Sequence, residues 1–155
     1  MREALRLAEQ AYALGEAPVG CVIVLDGEII GRGYNLRESS GNPLTHAEII
    51  AINEACAQVE SFRLVGAELF VTLEPCPMCA GACINSRIER VVYGADDPKA
   101  GSCGSVVNLF DLPYNHKPEI TSGVLQEECS AILSRFFASL RERNRARKRE
   151  KNGEI

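Results

Sequence analysis

Ala67-Glu68-Leu69-Phe70-Val71-Thr72-Leu73-Glu74-Pro75-Cys76-Pro77-Met78-Cys79 carries an apolar strand directly into the start of a helix. The run Ala67–Leu73 reads as a buried strand, and Glu74-Pro75 turns the chain. Pro77 suits a first helical position, where the N–H that proline lacks would be unpaired anyway. The helix is predicted to end near Ser86, and Glu89–Gly94, with its Val91-Val92-Tyr93 core, is a second strand. The crossover between these strands is long enough for parallel pairing, which implies a sheet covered by helices.

The same reading extends outward. Arg2 to Leu14 is an amphipathic helix stopped by Gly15. Val19–Leu25 and Glu28–Tyr34 form a hairpin about Asp26-Gly27. Residues 35–43 are a polar loop, and a helix capped by Thr45 runs from about His46 to Gln58. After a loop at 95–105 come a short helix at Val106–Phe110, a short strand at Glu119–Thr121 and a long helix from Leu125 to about Arg145. There is no internal repeat. The expected class is α/β, a sheet between helices, with one domain over residues 1–141 and a basic tail over 142–155.

Cys76 and Cys79 are three apart, so on a helix both sulfurs share a face and can reach one ion at about 2.3 Å. At a helix N-terminus their thiolates also gain from the helix dipole. Thr45-His46-Ala47-Glu48 places an imidazole in the first turn of another helix. One imidazole and two thiolates suit Zn²⁺, and three protein ligands leave a fourth tetrahedral position open. Glu48 is too hard a ligand to be preferred beside two thiolates and reads as a proton carrier. It also completes a capping-box pattern with Thr45, a competing use. Cys83 lies about 6 Å of helical rise beyond Cys79, too far to ligate the same ion, and reads as core. Cys21, Cys56, Cys103 and Cys129 read as small buried apolar residues. Alone, the Cys-x-x-Cys would equally fit a redox pair or half a zinc finger, and both motifs together leave open a structural zinc site with a further ligand.

With 155 residues, 46% of them hydrophobic, the chain can bury a genuine core in one domain. No apolar run approaches a membrane span, and Met1 to Leu5 is unlike a signal peptide. Seven cysteines, an odd number, fit a reducing compartment, and the expected location is cytoplasmic with no membrane association. Net charge is −4 but uneven: residues 1–140 hold 10 basic and 18 acidic side chains, whereas 141–151 hold seven basic and two acidic. That block is either an electrostatic hold on a phosphate backbone or a solvated helix end.

Thr45-His46-Ala47-Glu48-Ile49, Thr72 to Ala82 and Ser86-Arg87-Ile88 together resemble the bacterial tRNA-specific adenosine deaminases. Tyr93 to Lys99, Asn115-His116 and Phe136-Phe137 extend the likeness, which covers Leu5 to Arg141. The zinc motif alone is shared with cytidine, guanine and riboflavin-pathway deaminases, so the narrower assignment rests on the longer strings. Cys83 departs from the family pattern, where an aliphatic residue or Met is common.

The resemblance implies a three-layer α/β/α cytidine-deaminase-like fold with a mixed sheet of about five strands, one Zn²⁺ per subunit and a homodimer. It implies conversion of adenosine to inosine at the first anticodon position, with His46, Cys76 and Cys79 as ligands and Glu48 shuttling protons. Ala47 would position the base through its N–H, and Asn35 would hydrogen-bond it. Asp97, Lys99, Asn115, Phe136 and Arg141 would line the groove for the tRNA anticodon loop. Two other readings stand beside it. One is a deaminase of a free base or nucleoside such as guanine or cytosine. The other is a zinc-stabilised binding module without catalysis.

Overall fold

The computed structural model describes residues 1–153. Helix α1 (Arg2–Ala13) leads into the hairpin of β1 (Gly20–Leu25) and β2 (Glu28–Tyr34). A single turn, α2 (Arg37–Ser40), precedes α3 (Ala47–Val59). Then β3 (Glu68–Leu73), α4 (Pro77–Asn85) and β4 (Arg90–Ala95) follow in succession. A 3₁₀ turn (Leu109–Asp111), β5 (Glu119–Thr121) and α5 (Gln126–Lys151) complete the chain. Asp26 and Gly27 both take positive φ, 51° and 79°, a primed turn whose twist matches the flanking strands.

The strands form one mixed sheet in the order β2-β1-β3-β4-β5. β1 pairs antiparallel with β2 and β3, whereas β3 with β4, and β4 with β5, are parallel. Side chains alternate across the sheet, so each register row lies on one face. Cys21 pairs with Val71 and Val71 with Tyr93; Ile23 pairs with Leu69 and Leu69 with Val91. These residues are buried in one core with Ala47, Ala51 and Ala55 of α3 and with Ala80 and Cys83 of α4. The opposite face packs on α1 and α5. There α1 lays down Ala4, Leu7, Ala8 and Ala11 at helical spacing, and Cys129 of α5 lies against Gly94. The result is three layers, helices on both faces of the sheet.

Close contact between α3 and β2 places the first half of the site. A Cβ at Gly33 would overlap the Ala47 carbonyl and press on the Ala51 nitrogen, so only glycine lets the start of α3 lie this near the sheet. The second half follows from direction. β3 and β4 run parallel, so Glu74-Pro75-Cys76 and Asp96-Asp97 both leave the sheet at its carboxyl end, where open α/β sheets bind ligands.

Three local expectations shift. Thr45 does not cap α3: its hydroxyl donates to the Asn42 carbonyl at 2.9 Å, and His46 occupies the N-cap position without a side-chain cap. The short helix expected at 106–110 is only a 3₁₀ turn, begun by Asn108, whose side chain accepts from the Phe110 N–H. α5 continues to Lys151 rather than ending near Arg145. No Gly or Pro interrupts that stretch, its Arg, Lys and Glu are good helix formers, and Lys148, Arg149 and Lys151 complement the dipole of the last turn.

Candidate metal centre and its cavity

Two helix N-termini converge at the carboxyl end of β3. His46 caps α3 in extended conformation, and Cys76 caps α4 likewise, followed by Pro77 at the first position. Neither side chain caps its own helix, which leaves both free to point at each other. His46 Nδ1 lies 3.6 Å from the Sγ of Cys76 and 3.6 Å from the Sγ of Cys79. An ion about 2.05 Å from nitrogen and about 2.3 Å from each sulfur, at tetrahedral angles, sets N···S separations of roughly 3.5 Å. The observed spans therefore fit a zinc ion. The nitrogen and two sulfurs all lie within 4.8 Å of one another, and among the described residues this group has no fourth protein ligand. That donor set matches a catalytic centre rather than a closed structural one.

The electrostatics agree. Hydrogen bonding from the Cys79 thiol, then from His46, pulls Cys76 down to about 4. The hydrogen bond to Cys76, then burial, raises Cys79. The hydrogen bond to Cys76 raises His46. A lowered Cys76 favours the thiolate, the form that ligates a metal. Cys83 is fully buried in the core and stands outside the ligand group, as its extra helical turn requires.

Glu48 lies in the first turn of α3, 4% exposed. Burial pushes its carboxyl up to about 6, so it exchanges a proton readily near neutral pH. A cavity of about 230 Å³ opens beside it, walled by Ala17, Val19, Asn35, Arg37, Leu73, Glu74, Asp97 and Ala100 as well as by His46, Ala47, Glu48 and Cys76. An ionisable buried acid next to a metal-ready cluster, at the wall of a cavity, can move protons for a hydrolytic reaction on a small group.

Of the residues expected around the substrate, Asn35, Ala47 and Asp97 line this cavity. Asn35 is buried, its Nδ2 donating to the Ala17 carbonyl at 3.2 Å and its Oδ1 accepting from the Arg37 N–H at 3.2 Å. Asp97 accepts through Oδ1 from the N–H groups of Lys99 and Ala100, which fixes its turn. Lys99, Asn115 and Arg141 are exposed and outside the cavity wall. Phe136 is 4% exposed and packs edge-on against Tyr12, ring centroids 5.6 Å apart, and against Phe137 at 5.3 Å. It sits in the seam between α1 and α5 and is not among the residues that wall the cavity.

Six of the wall residues, Ala17, Val19, Arg37, Leu73, Glu74 and Ala100, were not expected at the site. Arg37 and Ala17 carry no motif. Glu74 did have a signal, an acid at the exit of an otherwise apolar strand, where a buried charge needs a reason.

The chain matches the family model described as the cytidine and deoxycytidylate deaminase zinc-binding region over residues 1–95. It is 51% identical over 147 residues to the tRNA-specific adenosine deaminase of Bacillus subtilis (strain 168), covering 94% of this chain and 91% of that one. Identity to the tRNA-specific adenosine deaminase of Haemophilus influenzae is also 51%, over 150 residues, 96% of this chain and 87% of the other. A solved structure from a study of A-to-I editing by tRNA:A34 deaminases at the wobble position of transfer RNA superposes with a TM-score of 0.83 and 44% identity. The match covers 86% of this chain and 97% of that one.

Proposed function

The chain belongs to the cytidine and deoxycytidylate deaminase family, and we propose that it hydrolyses adenosine to inosine at the wobble position of a tRNA anticodon. The observation that carries the chemistry is the buried Glu48 carboxyl at the wall of a cavity shared with His46 and Cys76. The substrate assignment is supported by likeness over nearly the full chain to enzymes that carry that activity in their names.

His46, Cys76 and Cys79 would hold one zinc ion through Nδ1 and the two Sγ atoms. When bound, zinc supplies Lewis-acid chemistry that makes water a competent nucleophile near neutral pH. Glu48 accepts a proton from the incoming water and delivers it to the ring nitrogen beside C6. The same carboxyl then passes the second proton to the departing amino group, so adenosine and water leave as inosine and ammonia. Ala47 is the first residue of α3, and its N–H, which needs no helical partner, would hold the base. Asn35, whose amide ties Ala17 to Arg37, would hydrogen-bond the base. An anticodon loop offers an unpaired base at low unstacking cost, which suits a cavity that must receive it edge-first.

Lys99, Asn115 and Arg141 would contact the flanking RNA. Large apolar side chains left exposed on the single chain, among them Phe62, Val65 and Val106, suit a homodimer. Seven free thiols and a tRNA substrate support a cytoplasmic location.

The test is zinc-loaded protein on an unmodified arginine tRNA transcript carrying adenosine at the first anticodon position. Inosine is scored by reverse transcription, with Glu48→Ala protein and free guanine and cytosine as controls. Inosine at that single site, lost in the variant, is the expected result. Ammonia from a free base without inosine would overturn the RNA substrate and keep the metal chemistry.

A further inference from the structure

We propose that Glu74 is a positioning residue that fixes the 97–105 wall of the cavity and thereby sets how the substrate nucleotide is seated. The proposal rests on the deaminase reading above. Glu74 lies at the end of β3, 2% exposed, and belongs neither to the ligand group nor to the proton path through Glu48. A buried carboxylate is costly unless hydrogen bonds replace its water. Here every replacement comes from one loop. The Asp97 N–H donates to Oε1 at 3.2 Å, and the N–H groups of Cys103 and Ser105 donate to Oε2 at 3.1 Å each. The Ser105 hydroxyl donates to Oε1 as well.

Those bonds sew the loop to the segment that leads into Cys76. The Ser102 N–H adds a bond to the Pro75 carbonyl at 2.9 Å, and the Glu74 N–H reaches the Ala95 carbonyl at 2.9 Å. Gly101 completes the fit. A Cβ there would overlap the Glu74 carboxylate and the Asp97 carbonyl, so the loop wraps this closely only because the position is glycine. Two residues of the same loop, Asp97 and Ala100, face the cavity. The metal ligands stand on a separate frame, the N-termini of α3 and α4. The Glu74 carboxylate bonds only loop residues and no ligand, so its loss should loosen the loop and leave the ligand group in place.

Glu74→Gln keeps the shape but turns an acceptor into an NH₂ that faces donors. Gly101→Ala attacks the same contact from the loop side, so the two variants should agree. Both are measured for zinc content, for amide hydrogen exchange, and for KM and kcat on the tRNA transcript. We expect zinc to stay at one per chain and amides of residues 97–105 to exchange at least about tenfold faster, while α3 keeps its rates. We expect kcat/KM to fall by roughly 10- to 100-fold, mostly through KM, as seating is lost. Unchanged exchange at 97–105, or faster exchange with KM and kcat intact, would overturn the proposal. So would loss of zinc with global loosening in both variants. If the wild-type protein makes no inosine, the deaminase reading fails by itself, and the exchange comparison still decides whether Glu74 holds the loop.

Discussion

His46 Nδ1 lies 3.6 Å from Cys76 Sγ although the two residues are 30 apart in sequence and begin different helices. Each helix is brought there by the sheet: α3 packs closely on β2, and α4 follows directly from β3. The site is thus positioned by backbone placement, and its three ligands sit on rigid elements rather than on a loop.

Loss of one ligand should therefore empty the site without unfolding the chain. Cys76→Ser or His46→Ala should bring zinc content from one per chain to near zero and inosine formation to background. The circular dichroism of the folded state should persist, because the core of Leu69, Val71 and Val91 contains none of the three ligands. Chelation of the wild type should lower its melting temperature, since zinc binds the native state preferentially. A protein that melts out on chelation would point instead to a structural zinc.

Glu48→Gln separates proton transfer from metal binding. The amide keeps the side chain's volume in a fully buried place but cannot carry the proton. Zinc content should remain one per chain, while kcat falls by about 10²–10⁴-fold, the range for a lost general acid–base. Wild-type turnover with Glu48→Gln would assign the proton transfer to another group.

Both halves of the centre were legible in the sequence because ligand chemistry constrains spacing: His-x-Glu and Pro-Cys-x-x-Cys are short and local. The alternating and continuous apolar runs gave the five strands, and Asp26-Gly27 gave the hairpin. What the sequence hid is long-range. Nothing local says that Glu74 gathers N–H groups from 23 to 31 residues away, or that Phe136 turns toward Tyr12. The extent of α5 was hidden differently, because an Arg/Lys/Glu stretch carries no apolar period to mark where the helix stops.

Glu16 provides a pH test away from the metal. It is 1% exposed, and its carboxylate accepts from the Glu38 N–H at 3.1 Å and the Ser39 N–H at 2.5 Å, tying α2 to the end of α1. Although burial opposes the charge, the bonds from Ser39 and Glu38 win and hold Glu16 below its ordinary value of 4.5. A folded-state pKa below the unfolded one adds stability above 4.5, lost as pH falls through the depressed folded value. Glu16→Gln should thus destabilise by about 1–3 kcal/mol at pH 7. Chemical denaturation at stepped pH should show the gap closing below 4.5. A gap independent of pH would mean the charge is not what Glu16 contributes.

Phe136 and Phe137 are neighbours with opposite surroundings. Phe136 is 4% exposed in the α1/α5 seam, and Phe137 is 43% exposed. Phe136→Ala should cost about 3–5 kcal/mol of unfolding free energy, as for a buried aromatic, and Phe137→Ala within about 0.5 kcal/mol. If Phe136→Ala leaves stability intact and weakens tRNA binding instead, its ring reaches RNA in the complex.

The basic turns of α5 offer the sharpest test of how RNA is held. α5 runs beside α1 in the same direction, linked by Arg2 with Glu128 at 3.8 Å and Glu9 with Arg135 at 2.9 Å. It passes the end of α1, from which the chain leads within four residues to Ala17 in the cavity wall. Seven basic side chains between Arg141 and Lys151 are all exposed along that projecting helix, beside only two acids. The remainder of the chain is net acidic, so this helix is where a phosphate backbone would find positive charge. Each phosphate neutralised contributes about 0.7–0.9 to the slope of log K against log salt. Removing residues 142–155 should weaken tRNA binding at low salt and flatten that slope by roughly 2 or more, if three or more contacts are lost. Fluorescence anisotropy across a salt series reads both quantities. Zinc content should be untouched, because no ligand lies on α5. An unchanged slope would mean that the helix is a solvated end and that the RNA is held elsewhere.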